Sequence, residues 1–366
     1  MKVGFYSPLP PARTGVADYS AALLAELRRH GEVEIAPRAC DVALYHLGNN
    51  GQHAAIYRRA MERPGVVVLH DAVLHHFLLG QLNEAAYIDE FVYNYGEWTR
   101  GLARELWRSR AASGSDPRYF AYPMLRRAVE GARAVVVHNP AAAAAVKEHT
   151  PGVRVVEIPH LFQAPPLPAE GEVQRYRQRL GVAPGTRLFG VFGYLRESKR
   201  LVSVMQAFAE VHRELPGTAL LIAGEFASTD LARAVEPLLG GAGLTRLPYL
   251  EEQEFWMAAS AVDAAINLRY PAAGESSGIA VRLMGIGKPV LLTESAEVSR
   301  FPEGACIRIP SGAAESDSLR EHMVLLTSMI EVVRAIGLRA AGHIQEHHRV
   351  DLIGKRYWEL LSEHCT

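Results

Sequence analysis

An imidazole and a carboxylate stand side by side in Val66-Val67-Val68-Leu69-His70-Asp71, directly after an apolar run. If that run is a buried parallel strand, the pair lies at the end where such a sheet exposes side chains to a ligand. His70 can donate a hydrogen bond to a substrate hydroxyl or carry a proton, and Asp71 can fix its tautomer or reach a hydroxyl itself. His75 and His76 follow on a helical stretch. Their spacing is weak for zinc, so two solvent-side histidines are expected and no metal site.

A second group is the loop Gly274-Glu275-Ser276-Ser277-Gly278, between a strand-like run and a helix that leads to Gly287-Lys288-Pro289-Val290. Ser276 and Ser277 can cap that helix, and its free N–H groups with Gly278 can bind a phosphate. Glu275 then lies beside the phosphate, able to accept from hydroxyls; a pure cap needs neither the carboxylate nor glycines on both sides. A third group, Gly193-Tyr194-Leu195-Arg196-Glu197-Ser198-Lys199-Arg200, sets three cations at a helix start. They oppose the helix dipole and call for an anion. A diphosphate supplies one, with Lys199 as a point charge and Arg196 as a forked donor; capping with a pairing to Glu197 is the plainer alternative. Finally, Gly15 falls before a helix that starts near Ala17, where either a tight turn or a backbone approach to an anion fits. The loop lacks the three-glycine spacing of a dinucleotide fingerprint, which disfavours a redox enzyme.

These residues need a frame that places them at strand ends. From Lys2 to His160, short Val-rich runs alternate with helical patterns, the mark of parallel strands joined by crossover helices. The expected strands are Val3 to Tyr6, Glu32 to Ala36, Val42 to Leu47, Val66 to Leu69, Ala134 to Val137 and Val153 to Ile158, with a mostly helical insertion between His70 and Ala132. Residues 164–186 are rich in Pro and Gly and read as a linker. The alternation restarts with strands at Leu188 to Phe192, Ala219 to Ala223, Leu244 to Tyr249, Ala264 to Leu268, Pro289 to Thr293 and Ile307 to Ile309. The expectation is an α/β chain: a first domain over 1–163, a second over 187–350, and a last helix at about 351–366 that reaches back to the first. Two such sheets facing each other would form a cleft lined by strand-to-helix loops.

Bulk properties narrow the field. A chain of 366 residues favours two cores over one. A formal net charge of -1 provides no field for gathering nucleic acid, so no nucleic-acid partner is expected. Cys40, Cys306 and Cys365 have neither the spacing nor the count of a staple or a metal knuckle. They read as reduced thiols in the cytoplasm, and no run reaches about 18 apolar residues or opens as a signal segment. Residues 100–133 hold eight arginines against Glu105, Asp116 and Glu130. This locally basic stretch, interleaved with Trp107, Tyr119, Phe120 and Tyr122, fits an anionic acceptor, a peripheral membrane contact with lipid headgroups, or a solvated helical face.

On these motifs the chain resembles the retaining glycosyltransferases of the GT-B fold, in particular family 4 (glycosyl transferases group 1), over nearly its whole length. Their second domain carries Gly-Arg-Leu-x-x-x-Lys-Gly, then a Glu-Gly-x-Gly loop, a second glutamate on the following helix, and Gly-x-Pro-Val. Here Gly193-Tyr194-Leu195 to Lys199-Arg200 matches the first, with tyrosine replacing the arginine. Aligning Gly287-Lys288-Pro289-Val290 puts Gly274 and Arg282 on the two glutamates, with Glu275 the shifted substitute for the first. The resemblance implies two Rossmann-like domains and a nucleotide-diphosphate sugar as donor. It implies transfer with retention to a glycan, lipid-linked or small-molecule acceptor, and neither metal nor cofactor. Glu275 would meet the transferred sugar, Ser277 and Gly278 the diphosphate with Lys199 and Arg196, and Gly15 and His70-Asp71 would approach from the first domain. The second glutamate holds ribose hydroxyls, and Arg282 in its place cannot accept a hydrogen bond. A nucleotide-sugar epimerase or hydrolase, or a non-catalytic nucleotide- or glycan-binding subunit, are the rival readings.

Overall fold

Val66–Leu69 and Ala134–Val137 are buried at every position, a pattern that suits strands of a parallel sheet covered on both faces. In the computed structural model, which describes residues 1–365, such runs form two six-stranded parallel sheets. The first holds β1 (Lys2–Tyr6), β2 (Glu32–Ile35), β3 (Val42–Leu47), β4 (Val66–Leu69), β5 (Ala134–Val137) and β6 (Val155–Glu157), in the order β2-β1-β3-β4-β5-β6. The second holds β7 (Arg187–Phe192), β8 (Thr218–Ala223), β9 (Leu244–Leu247), β10 (Ala264–Asn267), β11 (Val290–Thr293) and β12 (Ile307–Ile309), in the order β12-β11-β10-β7-β8-β9. All twelve fall on the expected runs, with ends that differ by at most two residues. The strand order reverses between β1 and β3, and again between β7 and β10. Loops leave in opposite directions at such a switch point and open a crevice beyond the carboxyl ends of the strands.

The contacts divide the chain into two units. One comprises Met1–Gln163, Pro271–Gly278 and His347–Thr366, and the other Ala164–Tyr270 and Ile279–Glu346. In the first, one sheet face is covered by the helices Gly15–His30 and Val350–Glu363, whose Leu23, Leu27, Ile353 and Tyr357 pack with Phe5, Leu44 and Val68. The opposite face is covered by helices of the insertion after β4, through Phe77, Leu78, Phe91, Leu106 and Tyr119. β2 is an edge strand on which only Val33 is buried, and Lys2 pairs with Glu32 and Glu34 there, so charge blunts the open edge. The terminal helix is held by Tyr357 Oη on Tyr19 Oη (2.9 Å) and by Arg133 Nη1 on the His364 carbonyl (2.6 Å). Thr366, the last residue of that expected helix, lies outside the described residues.

Three expectations change. Residues 164–186 are not irregular throughout: Glu170–Arg179 is a helix. The prolines stand only at its flanks, Gly171 is confined to its first turn, and Glu172 Oε2 accepts the Ala169 N–H (2.9 Å) at its start. Arg177 ties it to the Ala261 carbonyl (2.5 Å) and to Asp263 (3.2 Å). His75 is fully buried, not solvent-side: its ring meets the Tyr122 carbonyl (2.9 Å) and Tyr87 Oη (2.7 Å), and burial pushes it down to about 3. The basic stretch is largely neutralised by carboxylates, three of which precede it. Arg100 pairs with Asp89 and Glu97, Arg127 with Glu90, and Arg118 with Glu105 and Asp116.

The packing of the terminal helix gives a stability test. A Cβ at Gly354 would collide with Glu26 Cγ on the buried side chain of Glu26, whereas one at Gly342, on the helix Ile330–His347, would meet nothing within 4 Å. Gly354→Ala should lower unfolding free energy by about 1–3 kcal/mol and Gly342→Ala should raise it by up to about 1 kcal/mol, read by urea denaturation. Equal effects would contradict this packing.

Candidate functional site

In the first unit the site is built on strand ends. β3 and β4 pair with His46 opposite Val68 and Leu47 opposite Leu69, and the His70 N–H then donates to the Leu47 carbonyl (2.9 Å). This fixes His70 as the first residue past β4, beside His46 within β3. His138 follows β5 in the same way, and its Nδ1 donates to the Ile158 carbonyl (2.9 Å). The result is a cluster of imidazoles around the Tyr19 ring, whose centroid lies 4.9 Å from His70, 5.2 Å from His138 and 4.8 Å from His160. Tyr19 Oη is itself engaged by Tyr357.

Of the two roles expected of Asp71, fixing the tautomer of His70 falls to another residue. His70 Nε2 meets His46 Nδ1 (2.9 Å), while Asp71 Oδ2 accepts the Asn49 N–H (2.8 Å). His46 is fully buried and His70 nearly so. Burial first, then the neighbouring histidines, pushes both well below the ordinary imidazole range; burial pushes His53 down and His138 to about 4. His46, His53, His70 and His138 are therefore neutral rings near pH 7, able to donate or accept hydrogen bonds.

The loop Pro271–Gly278 belongs to this unit. The Ala72 N–H donates to the Ala273 carbonyl (2.9 Å), and Asn139 Nδ2 reaches the Gly274 carbonyl (2.9 Å) and Ser276 Oγ (3.1 Å). Gly274 has φ +69, and a Cβ there would stand 2.6 Å from that of Ala72, so only glycine fits. A Cβ on Gly278 would lie 3.0 Å from His160 Nε2. Ser276 thus takes the Asn139 amide on its hydroxyl. Glu275 turns Oε2 back to the Ala273 N–H (2.7 Å), which shapes the loop. The sequence therefore brings Glu275, Ser276 and Gly278 to the strand ends that carry His70 and Asp71. At the start of the helix Gly15–His30, Thr14 Oγ1 accepts the Ala17 N–H (3.1 Å), and nothing lies within 4 Å of a Cβ placed on Gly15. Packing of the chain does not demand glycine there.

The second unit supplies cations. Lys199 is buried, and its Nζ bonds the Phe192 carbonyl at the end of β7 (2.6 Å) and Asn267 Oδ1 at the end of β10 (3.4 Å). It thus sits on the switch point of this sheet. Arg196 is exposed and lies over the Tyr194 ring (5.6 Å). The pairing with Glu197 that the plainer alternative called for is absent among the described residues; Glu197 accepts from Ser228 Oγ. The anion for Arg200 is internal: Glu315 (2.9 Å), almost wholly buried. Arg282 pairs with Glu252 (2.6 Å) and stacks over Phe255 (4.2 Å) and Trp256 (4.3 Å).

Sequence reasoning passed over His46, His138 and Asn139. A usable signal existed for two of them, since His138-Asn139-Pro140 follows an apolar run just as His70-Asp71 does. His46 lies inside its strand and had none. Among the described residues no group of three or more His, Cys, Asp or Glu could hold a metal ion.

No protein-family model matches the chain, and no curated protein matches it. Solved structures do. HepE from Anabaena, crystallised with UDP and glucose, is 16% identical, with 99% of this chain and 100% of that chain covered and a TM-score of 0.68. A sucrose-phosphate synthase from Thermosynechococcus elongatus is 13% identical, covering 99% and 98%, with a TM-score of 0.69. WaaG, a glycosyltransferase involved in lipopolysaccharide biosynthesis, is 13% identical, covering 98% and 99%, with a TM-score of 0.66. The chain has the GT-B fold. A GT-B chain carries two Rossmann-like sheets, and both sheets of this one hold polar side chains at strand ends: histidines along β3, β4 and β5 in one unit, and a buried lysine at the β7/β10 switch point in the other.

The buried rings make stability depend on pH in a stated direction. Each is neutral when folded and takes a proton when unfolded below about pH 6.5, so the unfolded state binds more protons in that window. Stability is full above it and falls as pH drops, by up to about 1.4 kcal/mol per pH unit for each histidine. Urea midpoints measured from about pH 7 to about pH 4 should decline, with a shallower slope for His138→Asn. A flat profile would refute the neutral cluster.

Proposed function

We propose that this chain is a glycosyltransferase that moves a sugar from a nucleotide-diphosphate donor to an acceptor, with retention and without a metal or cofactor. The observation that carries the reading is the loop Glu275 to Gly278 clamped by Asn139 and Ala72 beside His70-Asp71. It combines a carboxylate, backbone N–H groups and hydrogen-bonding rings, as a sugar next to a phosphate requires. Support comes from the shared fold: HepE was crystallised with UDP and with UDP-glucose. In this reading the N–H groups of Ser277 and Gly278 bind the diphosphate with Lys199 and Arg196, Gly15 leaves room for a close approach, and Glu275 and His70 meet the sugar. Neutralising the departing diphosphate is the main catalytic contribution of the chain. Arg282 does not hold ribose hydroxyls. It draws Glu252 to its guanidinium, and that carboxylate takes over as their acceptor. Retention rests on the resemblance to family 4.

The acceptor is a glycan, a lipid-linked molecule or a small hydroxyl compound. A peripheral membrane contact through residues 100–133 is supported by Arg104 and Arg108, exposed and without an ion pair among the described residues, and by the exposed Trp98 just before that stretch in the chain. The ion pairs that absorb Arg100, Arg118 and Arg127 count against it. Among the described residues no helix is long and apolar enough to cross a membrane. Together with unpaired Cys40, Cys306 and Cys365, this supports a cytoplasmic protein.

Donor loss from UDP-, GDP-, ADP- and TDP-sugars, with and without acceptor extract, tests the assignment. Lys199→Ala and Glu275→Gln should each lower kcat by about a hundredfold or more with the preferred donor. Native rates in Lys199→Ala, or consumption of donor regardless of acceptor, would sink the transferase reading. Binding with no turnover would leave a nucleotide-binding subunit.

A further inference from the structure

We infer that His46 is a positioning residue that holds His70 in the Nδ1–H tautomer, so that His70 meets its substrate as a neutral hydrogen-bond donor and not as a general base. The inference deepens the transferase reading, on which its catalytic part rests.

One proton lies between His46 Nδ1 and His70 Nε2, 2.9 Å apart. There are two ways to place it. If His70 Nε2 carries it, His46 must hold its own proton on Nε2. That atom is buried without a partner, which leaves an orphaned N–H donor. Buried N–H groups without an acceptor are rare, because the lost hydration is not replaced. If His46 Nδ1 carries it, His46 Nε2 is a bare lone pair, His70 Nε2 accepts, and the proton of His70 falls on Nδ1. The same pattern holds next door. His53 and His138 each give Nδ1 to a backbone carbonyl, those of His46 and Ile158 (2.9 Å each), so their buried, unpartnered Nε2 atoms are also bare lone pairs. The cluster is uniform in tautomer.

The geometry then decides what His70 offers. Its Nε2 is occupied by His46, while Nδ1 makes no hydrogen bond and is not among the buried, unpartnered side-chain atoms. A neutral ring that shows only an N–H outward can donate to a hydroxyl, ring or phosphate-ester oxygen, and has no lone pair there with which to take a proton. His46 is suited to this task because it cannot turn: its ring is sealed against Phe5 (4.8 Å), and its carbonyl is held by His53.

The test is a long-range ¹H–¹⁵N correlation spectrum of histidine-labelled protein near pH 7, with His70→Gln identifying the His70 signals. We expect the Nδ1–H pattern for His70 in the native chain and in His46→Asn, whose amide N–H can replace the donor. His46→Leu should shift His70 toward the Nε2–H pattern. With a donor that turns over, His46→Leu should lower kcat about tenfold while KM for the donor stays within about twofold, and His46→Asn should recover most of the loss. An Nε2–H pattern on native His70 overturns the inference, as does unchanged kcat in a His46→Leu protein whose tautomer has switched. If no nucleotide sugar is consumed, the transferase reading fails, yet the spectrum still decides what His46 does to His70.

Discussion

A parallel strand buried on both faces can hold almost no chemistry along its length, since every side chain points into a core. Val66–Leu69, Ala134–Val137 and Ala264–Asn267 obey this rule at each position. Polar groups are therefore pushed to the carboxyl ends, where the backbone turns into a loop and a side chain meets solvent or a ligand. His70 and His138 follow their strands by one residue, and Asn267 closes β10 beside Lys199. The remaining features of the site follow from that crowding at strand ends.

The two sheets use the space differently. At the first, several imidazoles are brought within about one ring of each other, and their charge is removed by burial and mutual repulsion. Neutral rings in a shielded pocket suit oriented hydrogen bonds to hydroxyls. At the second, cations persist, each with a different fate. Arg200 is consumed by Glu315, Arg282 by Glu252 and two aromatic faces, and Lys199 is anchored on the Phe192 carbonyl and Asn267 Oδ1.

Much of the frame was legible because the relevant signals are local. Alternation of Val-rich runs with helical stretches marked every strand, and glycine, carboxylate and hydroxyls in succession marked the loop at Glu275. Contacts between distant residues were not legible. Nothing in the sequence near Ser276 announces Asn139, and nothing near Arg200 announces Glu315, because each pair is separated by more than a hundred residues and joined only by the topology.

What the sequence by itself determined is the set of elements and the chemical types at their ends, since periodicity, turn residues and burial tendency act over a few neighbours. Tertiary structure alone decided the partners: that His70 leans on His46 and not on Asp71, that His75 is sealed among tyrosines, and that residues 271–278 join the first unit. The physical reason is that hydrogen bonds and desolvation depend on distances in space. Strand register and order, set by the packing of the whole chain, fix those distances.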